Sequence, residues 1–416
     1  MTERLFHGPP LLNDADAEFR GVVISATHQG EHVAVVLDRT RFYPNSGGQP
    51  CDVGTLNELD VVDVVEDGEE IVHRVQGSEA TGWTAGTEVH GRIEPKRRRD
   101  HMQQHSAQHM LSAILLARFE IPTVSFHLGA EASTIDVKAE RVSDEQIAEL
   151  EAEMGAAIRA CQPVVATVYE GEAIASAAKG LRKAPAPEIL ASPRGLRIVQ
   201  FGDDAAPLDR DPCCGTHVSS TGQVGSFVIL GTERGRKGET RIAFAAGARA
   251  TQAIRTRLAA LNAAGTVLTS GFPDLAERGQ KLLDRVKELK RELKLTSGRL
   301  VEFEAAAAAA DASGALVHEL DGDDPKLAGA FARACVASNP KLLVAVIHGG
   351  ERLTLAIARG DAAPEIHSGD LVRELLSPFG GKGGGAPHSA QGAAPDPARS
   401  QELRDAVQQA LDAAIG

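Results

Sequence analysis

The sequence predicts a multidomain α+β protein. Its parts are an N-terminal β-barrel, an α+β domain, a helical hairpin or coiled coil, and a C-terminal α/β domain. Three observations carry that prediction. The first ninety residues run as short apolar stretches separated by Gly, Asp and Asn turns. The pattern then changes to a helical period through Met110, Ala113, Ile114 and Ala117. Further on, Leu282, Val286, Leu289, Leu293, Thr296, Leu300 and Phe303 keep a strict 4-3 spacing, about three heptads.

With 416 residues the chain has room for roughly three domains of about 150 residues, and the pattern divides it at 1–92, 93–250, 251–312 and 313–416. In the first part GVVISATHQ, HVAVVLD, VVDVVE and EIVHRV read as strands of a small barrel or curled sheet. TRFYPNSGGQPCDVG is a Gly/Pro/Asn loop between two of them. A helix follows over 98–118, with Asp100 as its N-terminal residue. A second runs from Ser143 to about Cys161, opened by the acidic SDEQ that suits a helix dipole. VVATVYE and LRIVQFG read as strands, and GSFVILGTERGRKGETRIAFAAG as two strands joined by a polar loop. The heptads are flanked by Lys, Arg and Glu; they make either a coiled coil or an amphipathic helix packed on its own domain. The last part carries the strands LVHEL, LLVAVIHGG and LTLAIARG, a helix near LAGAFARACVA, a glycine-saturated loop PFGGKGGGAPHSAQGA and a terminal helix.

Composition bounds the function. The chain is 43% hydrophobic and 24% charged, ordinary for a soluble globular protein and too apolar for a disordered one. No apolar run approaches the ~18 residues of a membrane span, and the N-terminus lacks a secretory pattern, so no membrane partner and a cytoplasmic location are expected. Five cysteines, two of them adjacent (Cys213, Cys214), make no disulfide framework and point to metal or thiol chemistry. The net charge of −13 argues against a chain that is basic all over. Local basic runs can still steer a polyanion. Lys96, Arg97, Arg98 and Arg99 form one such run, and Arg234, Arg236, Lys237 and Arg241 another. Aromatic residues are only 4%, too few for base-stacking platforms to dominate.

His101, His105 and His109 are spaced by four, so on a helix they share one face, and two histidines at i and i+4 can grip one zinc ion. No Glu follows His101 or His105, which weakens a peptidase reading. Far downstream, Cys213-Cys214-Gly215-Thr216-His217 sets a thiolate and an imidazole in a tight turn, the complementary half of a zinc site.

HSAQH followed by CCGTH resembles the HxxxH…CxxxH zinc signature of the alanyl-tRNA synthetase editing domain and of its freestanding relatives, the AlaX-type alanyl-tRNA editing proteins. FYPNSGGQPCDVG is similar to the glycine-rich motif of the barrel that precedes that domain, and GGKGGGAPHSAQGA to the signature of the DHH-associated C-terminal domain. The order of motifs resembles the long AlaX form over essentially the whole chain, without an aminoacylation domain. The resemblance implies Zn²⁺ held by His105, His109, Cys213 and His217, with His101 the rival first ligand. Cys214 stands where the synthetases usually have Gly, which leaves open which sulfur binds. Four protein ligands describe a closed, structural site; either one ligand is loose or the substrate raises the coordination number.

The implied activity is hydrolysis of the ester joining a wrong amino acid to tRNA for alanine. An alanine pocket cannot exclude the smaller glycine, and it rejects an added hydroxyl by only roughly 10². A second sieve must therefore remove Ser, and with it Gly. The implied partner is the acceptor end of that tRNA, with the C-terminal half contacting tRNA or forming a homodimer. By the same resemblance Ser46, Gly47, Gly48 and Gln49 lie at the substrate end of the pocket. Ser125 and His127 lie where relatives carry selectivity residues, and Thr216 falls within the metal turn. Lys382, in the second glycine-rich loop, joins the basic runs as a tRNA contact. No general base stands out; His101 and Cys214 are candidates only by their nearness to the ligands. The alternative reading is a non-catalytic tRNA-binding module with a structural zinc. A DHH phosphoesterase lacks its Asp-His-His triplet here.

Overall fold

Alternation of apolar and polar residues curls the first ninety residues. The strands are β1 (Glu3–Arg4), β2 (Glu18–Gln29), β3 (His32–Leu37), β4 (Arg39–Thr40), β5 (Gly54–Leu56), β6 (Leu59–Asp67), β7 (Glu70–Gln76) and β8 (Glu88–Ile93). Hydrogen bonding runs β2-β3-β7-β6-β5-β8 and returns antiparallel from β8 to β2, so the six strands close on themselves; β1 and β4 pair in parallel. Inward-facing Val23, Val35, Leu37, Leu56, Val64, Ile71 and Val75 fill the interior. This is a computed structural model, and it describes residues 2–8, 13–77, 80, 82–185, 187–190, 193–236, 238–321 and 324–416.

The segment between β4 and β5 has no regular structure but is not a surface loop. Phe42, Tyr43, Cys51 and Asp52 are buried, and Asp52 accepts from the Tyr43 amide at 2.7 Å. Its tip turns at Gly47 and Gly48, both at positive φ, a conformation that costs glycine nothing.

Helix α1 spans Pro95–Phe119, with proline at its first position and the Glu94 side chain accepting from the Lys96 amide. Asp100 is therefore not the N-terminal residue; it lies a turn and more inside and pairs with Arg249. Strands β9 (Thr123–Leu128) and β10 (Ser133–Val137) follow, then α2 (Asp144–Arg159), opened by a reciprocal Ser143–Gln146 capping box. The next elements are β11 (Val164–Tyr169), α3 (Ala173–Ala177), α4 (Pro187–Leu190), β12 (Leu196–Phe201), β13 (Asp209–Pro212), β14 (Phe227–Arg234) and β15 (Thr240–Ala246). Two sheets result, ordered β14-β15-β10-β9 and β11-β12-β13. Met110, Leu111, Leu115, Ile135, Phe201, Ile242 and Phe244 form their common core with α1.

Helices α5 (Gly247–Leu268) and α6 (Leu275–Ala310) come next, and the chain divides into compact units at Met1–Ala263 and Ala264–Gly416. Along α6, Leu282, Val286, Leu289, Leu293, Leu300 and Phe303 are exposed, so that seam does not pack on its own domain. Only Val301, Ala305 and Ala309 of this helix are buried.

The second unit adds β16 (Ala315–Glu319), α7 (Lys326–Ser338), β17 (Leu343–Gly349), β18 (Leu353–Arg359), α8 (Ser368–Leu376), β19 (Lys382–Ala386), β20 (Ser389–Ala394) and α9 (Ser400–Ile415). Its sheet runs β16-β17-β18-β20-β19. Alternate residues of β17 enter two cores. Leu343, Ala345 and Ile347 meet α8 and α9, while Val344 and Val346 meet α6 and α7. The glycine-saturated stretch is thus a hairpin of two strands, not a loop. A Cβ on Gly383 would stand 2.8 Å from the Gly392 Cα, and one on Gly385 would stand 2.6 Å from the Ala390 Cα, so glycine marks a close backbone approach.

Candidate metal centre

Helix α1 presents His105 and His109 one turn apart from a stretch buried on all sides between Gln104 and Leu115. Strand β13 delivers the other half, and the turn 213–217 folds back against the helix. Gly215 permits that fold, since a Cβ there would strike the His105 ring.

One ligand atom from each of His105, His109, Cys213 and His217 falls within 4.8 Å of the others. The Cys213 Sγ lies 3.2 Å from His217 Nε2 and 3.5 Å from His105 Nε2. Tetrahedral zinc, with Zn–S of about 2.3 Å and Zn–N of about 2.05 Å, would hold S and N roughly 3.5 Å apart. The donor set and its spacing therefore fit a zinc ion. The thiol that belongs to the set is that of Cys213. Cys214, next in the chain, is exposed and outside it.

Each imidazole is oriented from behind. His105 Nδ1 donates to Gln49 Oε1 at 2.9 Å, and His109 Nδ1 to Asp209 Oδ2 at 2.8 Å. His217 Nδ1 lies 3.2 Å from Ser106 Oγ. With Nδ1 occupied, Nε2 is the atom each ring offers to a metal. Arg182 in turn holds Asp209 at 2.7 Å and reaches Asp211 at 2.7 Å. Arg197 Nη1 donates to the carbonyls of Cys213 at 2.6 Å and Gly215 at 3.1 Å, pinning the turn. Phe201 stacks on His109 and Phe126 lies against His105, both 5.5 Å between ring centres.

The electrostatics follow from these contacts. Burial disfavours charge on His109, but the Asp209 hydrogen bond and the Cys213 sulfur outweigh it and raise its pKa to about 10. His217 has no carboxylate, and burial pushes it down to about 3. Burial also opposes the Cys213 thiolate, yet His105 and His217 hold that thiol well below its ordinary range. Burial lifts Asp211 above the usual carboxylate range.

The other predicted positions sort themselves clearly. Gln49 reaches the centre, donating from Nε2 to Thr216 Oγ1 at 2.9 Å and accepting from the Thr216 amide at 3.1 Å. Gly48 sits against Phe126, its carbonyl accepting from the Leu128 amide. Ser46 and Gly47 form the turn that carries them. Strand alternation turns Phe126 toward the centre, so Ser125 and His127, both exposed, leave on the opposite side; Ser125 donates to Asp136 instead. His101 is buried in α1, only 4% exposed, but is not among the clustered ligands, and burial lowers it to about 4.

Of the basic runs, Lys96 and Arg99 are exposed and Arg97 donates to the Cys51 carbonyl at 3.0 Å. Arg98 is not a surface cation: it is buried against Asp52 and the Arg41 carbonyl. Arg234, Arg236 and Lys382 are exposed, and Lys237 lies outside the described residues. Asp209, Arg182, Arg197, Ser106 and Phe126 carry no spacing signal that sequence reasoning could use. The nearest hint is the pair of acids in DRDP just before Cys213. Among the described residues no helix is long and apolar enough to cross a membrane.

Residues 196–243 match the family described as threonyl and alanyl tRNA synthetase second additional domain. Residues 18–97 match tRNA synthetases class II (A), and residues 312–413 match the DHHA1 domain. An alanine–tRNA ligase of Methanoculleus marisnigri is 31% identical over 385 residues, 88% of this chain and 40% of that protein; the chain thus spans about two fifths of such ligases. The alanyl-tRNA editing protein Aarsd1 of Bos taurus is 35% identical over 257 residues, 62% of this chain and 55% of that one. The alanyl-tRNA editing protein AlaX-L of Pyrococcus horikoshii is 30% identical over 405 residues, 94% of each chain. With that match covering 94% of each chain and the four clustered donors in place, the chain belongs to the long AlaX-type alanyl-tRNA editing proteins.

Proposed function

We propose that this chain is a zinc-dependent aminoacyl-tRNA deacylase that edits in trans, hydrolysing the ester of Ser-tRNA, and of Gly-tRNA, made with tRNA for alanine. The observation that supports it most is the cluster of three imidazoles and one thiolate, each ring oriented through Nδ1 by a residue of this chain. Zinc held there by His105, His109, Cys213 and His217 supplies Lewis acidity toward a substrate carbonyl, amino or hydroxyl group.

The protein groups bind and orient. Gln49 couples the glycine-rich turn to both His105 and the Thr216 backbone, so the turn is tied to the metal loop. Phe126 and Phe201 cover the rings and exclude water from that side. Asp209 is committed to His109 and Arg182 and holds its proton on Nδ1 of His109. An aminoacyl ester is already reactive, so placing a water beside it contributes much of the rate. Lys96, Arg99, Arg234 and Arg236 are the exposed cations that we assign to the tRNA backbone, and a cytoplasmic location belongs to the same reading. The four-part division at 92, 250 and 312 is likewise ours.

Single-turnover hydrolysis of Ser-, Gly- and Ala-tRNA tests this directly. Ser-tRNA should be cleaved and Ala-tRNA spared, because a site built around a hydroxyl rejects an analogue lacking it by ~10⁴ or more. Glycine lacks the hydroxyl too, so its removal rests on a different feature, a pocket that excludes the β-methyl of alanine. Equal rates for Ser and Ala would sink the editing assignment. No hydrolysis of any of the three would favour a binding module whose zinc is structural.

A further inference from the structure

A cavity of about 280 Å³ opens beside the metal loop, lined by Phe6 and His7, by Arg98 and Met102 of α1, by β11 and Arg197 of β12, and by Thr216 to Ser219. Among the described residues its lining holds two arginines and two histidines and no carboxylate. Arg98 is already engaged, being buried against Asp52. Arg197 is different: its Nη1 is shared between two backbone carbonyls, and it forms no ion pair among the described residues. The nearby acids are engaged elsewhere, since Arg182 takes both Asp209 and Asp211.

A guanidinium is always charged and presents a planar fork of donors suited to an oxyanion. The nearest anionic neighbour of Arg197 is the Cys213 sulfur, which a bound zinc would neutralise. A partly enclosed cation with no carboxylate partner and low-dielectric walls also concentrates anions. Val164, Val165, Ala166 and Val199 supply those walls. The volume falls just under the roughly 300–1,000 Å³ of pockets for drug-sized ligands, which suits a small anionic group and not a whole nucleotide.

We propose that this cavity is an oxyanion site in which Arg197 receives a phosphate or a carboxylate beside the metal cluster. The idea rests on the proposed hydrolase reading, because that reaction brings both sources. One is the phosphodiester of the 3′-terminal nucleotide and the other is the carboxylate of the released amino acid. His7 lines the same space, its Nε2 donating to the Cys214 carbonyl at 2.9 Å. That leaves Nδ1 as the ring atom available to an O–H or N–H on the bound group.

The test is calorimetric titration of the full-length, zinc-loaded protein with inorganic phosphate and, separately, with L-serine. Three variants accompany the wild type: Arg197→Gln, Val165→Glu and, as a control at an exposed position of α6, Arg291→Gln. Val165 is 52% exposed at the cavity wall, so a carboxylate there opposes an anion while the Arg197–carbonyl contacts stay intact. One anion should bind at one site per chain. Its Kd should rise roughly 10- to 100-fold in Arg197→Gln and Val165→Glu, the range of a charged hydrogen bond, and stay unchanged in Arg291→Gln. Phosphate binding identifies the nucleotide as the source, and serine binding identifies the product. If Arg197→Gln loses zinc, Val165→Glu decides alone. Absence of binding by both anions, or binding indifferent to Val165→Glu, overturns the proposal. Deacylation is read on the same preparations. Activity without anion binding rejects the oxyanion site and leaves the hydrolase, while anion binding without activity does the reverse.

Discussion

The side-chain oxygen of Gln49 lies 2.9 Å from Nδ1 of His105. These residues come from different architectures, one from the loop of the barrel and one from the helix that carries the ligands, and they are 56 positions apart. The bond fixes the ring so that Nε2 faces Cys213. Replacing Gln49 with Leu should therefore weaken zinc binding by about 10- to 100-fold, the usual cost of removing an outer partner of a metal-bound histidine. Competition against a chelator of known affinity measures it. Unchanged zinc affinity in Gln49→Leu would mean that packing alone orients His105.

The two adjacent cysteines should separate cleanly. Cys213→Ala removes the sulfur that stands 3.2 Å from His217 and 3.5 Å from His105, so it should abolish stoichiometric zinc and, with it, hydrolysis. Cys214→Ala should retain both, because its exposed side chain lies outside the clustered set. Zinc per chain, measured by mass spectrometry of the metal, distinguishes them. Full zinc in Cys213→Ala with loss in Cys214→Ala would reverse the assignment.

The clustered donors are legible in sequence because helix geometry makes His105 and His109 neighbours whatever the rest of the fold does. The residues that orient them are not. Asp209 lies 100 positions from His109, a pairing that only the packing of β13 on α1 creates. The phase of β9 escapes sequence reading for a related reason. Ser125 and His127 are the polar residues one expects in a pocket, yet Phe126 is the one turned inward, where it covers His105 and closes on Gly48. The hairpin over Lys382–Ala394 is hidden because glycine reads as loop, whereas here it lets two strands and α8 approach closely. The run Lys96–Arg99 reads as one charged surface, and only burial shows that Arg98 belongs inside.

Stability should fall on acidification, and His73 should contribute. It is fully buried in the barrel, its Nδ1 donating to the Val35 carbonyl at 3.0 Å and its Nε2 accepting from the Thr40 hydroxyl at 2.8 Å. Burial lowers its pKa from 6.5 to about 4. The folded state thus binds this proton less well than the unfolded state. The stabilisation from a neutral His73 is complete above pH 6.5 and is lost as the pH falls toward 4. The loss is on the order of 3 kcal/mol at most, at about 1.4 kcal/mol per pKa unit. Urea midpoints measured between those limits should slope less steeply in His73→Phe than in the wild type. Parallel curves would show that His73 does not report the transition.

Removing the chain beyond Ala263 should leave the metal centre intact. The apolar clusters of the first unit draw on residues up to Ala246, and those of the second begin at Val301. Arg249, whose guanidinium pairs with Asp100 and donates to the Gly129 carbonyl at 2.5 Å, stays within the shortened chain. A protein ending at Ala263 should melt cooperatively and carry zinc, while binding tRNA more weakly or losing a dimer seen in the parent. Loss of zinc on truncation would contradict the independence of the first unit. Unchanged tRNA affinity together with unchanged oligomeric state would remove any tRNA or assembly role from the second.

The basic run at the start of α1 should split into two phenotypes. Arg98 is 3% exposed and its guanidinium engages Asp52, itself 1% exposed, while also donating to the Arg41 carbonyl. Arg98→Gln leaves a carboxylate buried without its cation. That should destabilise the first unit by about 3–5 kcal/mol, the cost of breaking a buried pair from one side. Lys96 and Arg99 are exposed, and Arg99 has only a loose 3.4 Å approach to Asp14. The double substitution Lys96→Gln with Arg99→Gln should leave the melting temperature within error. It should instead weaken tRNA binding and flatten its dependence on log salt by roughly 0.7–0.9 for each phosphate no longer neutralised. Thermal melts and filter binding across a salt series separate the two cases. A double variant that binds tRNA with the parent's salt slope would take this helix end off the nucleic-acid surface.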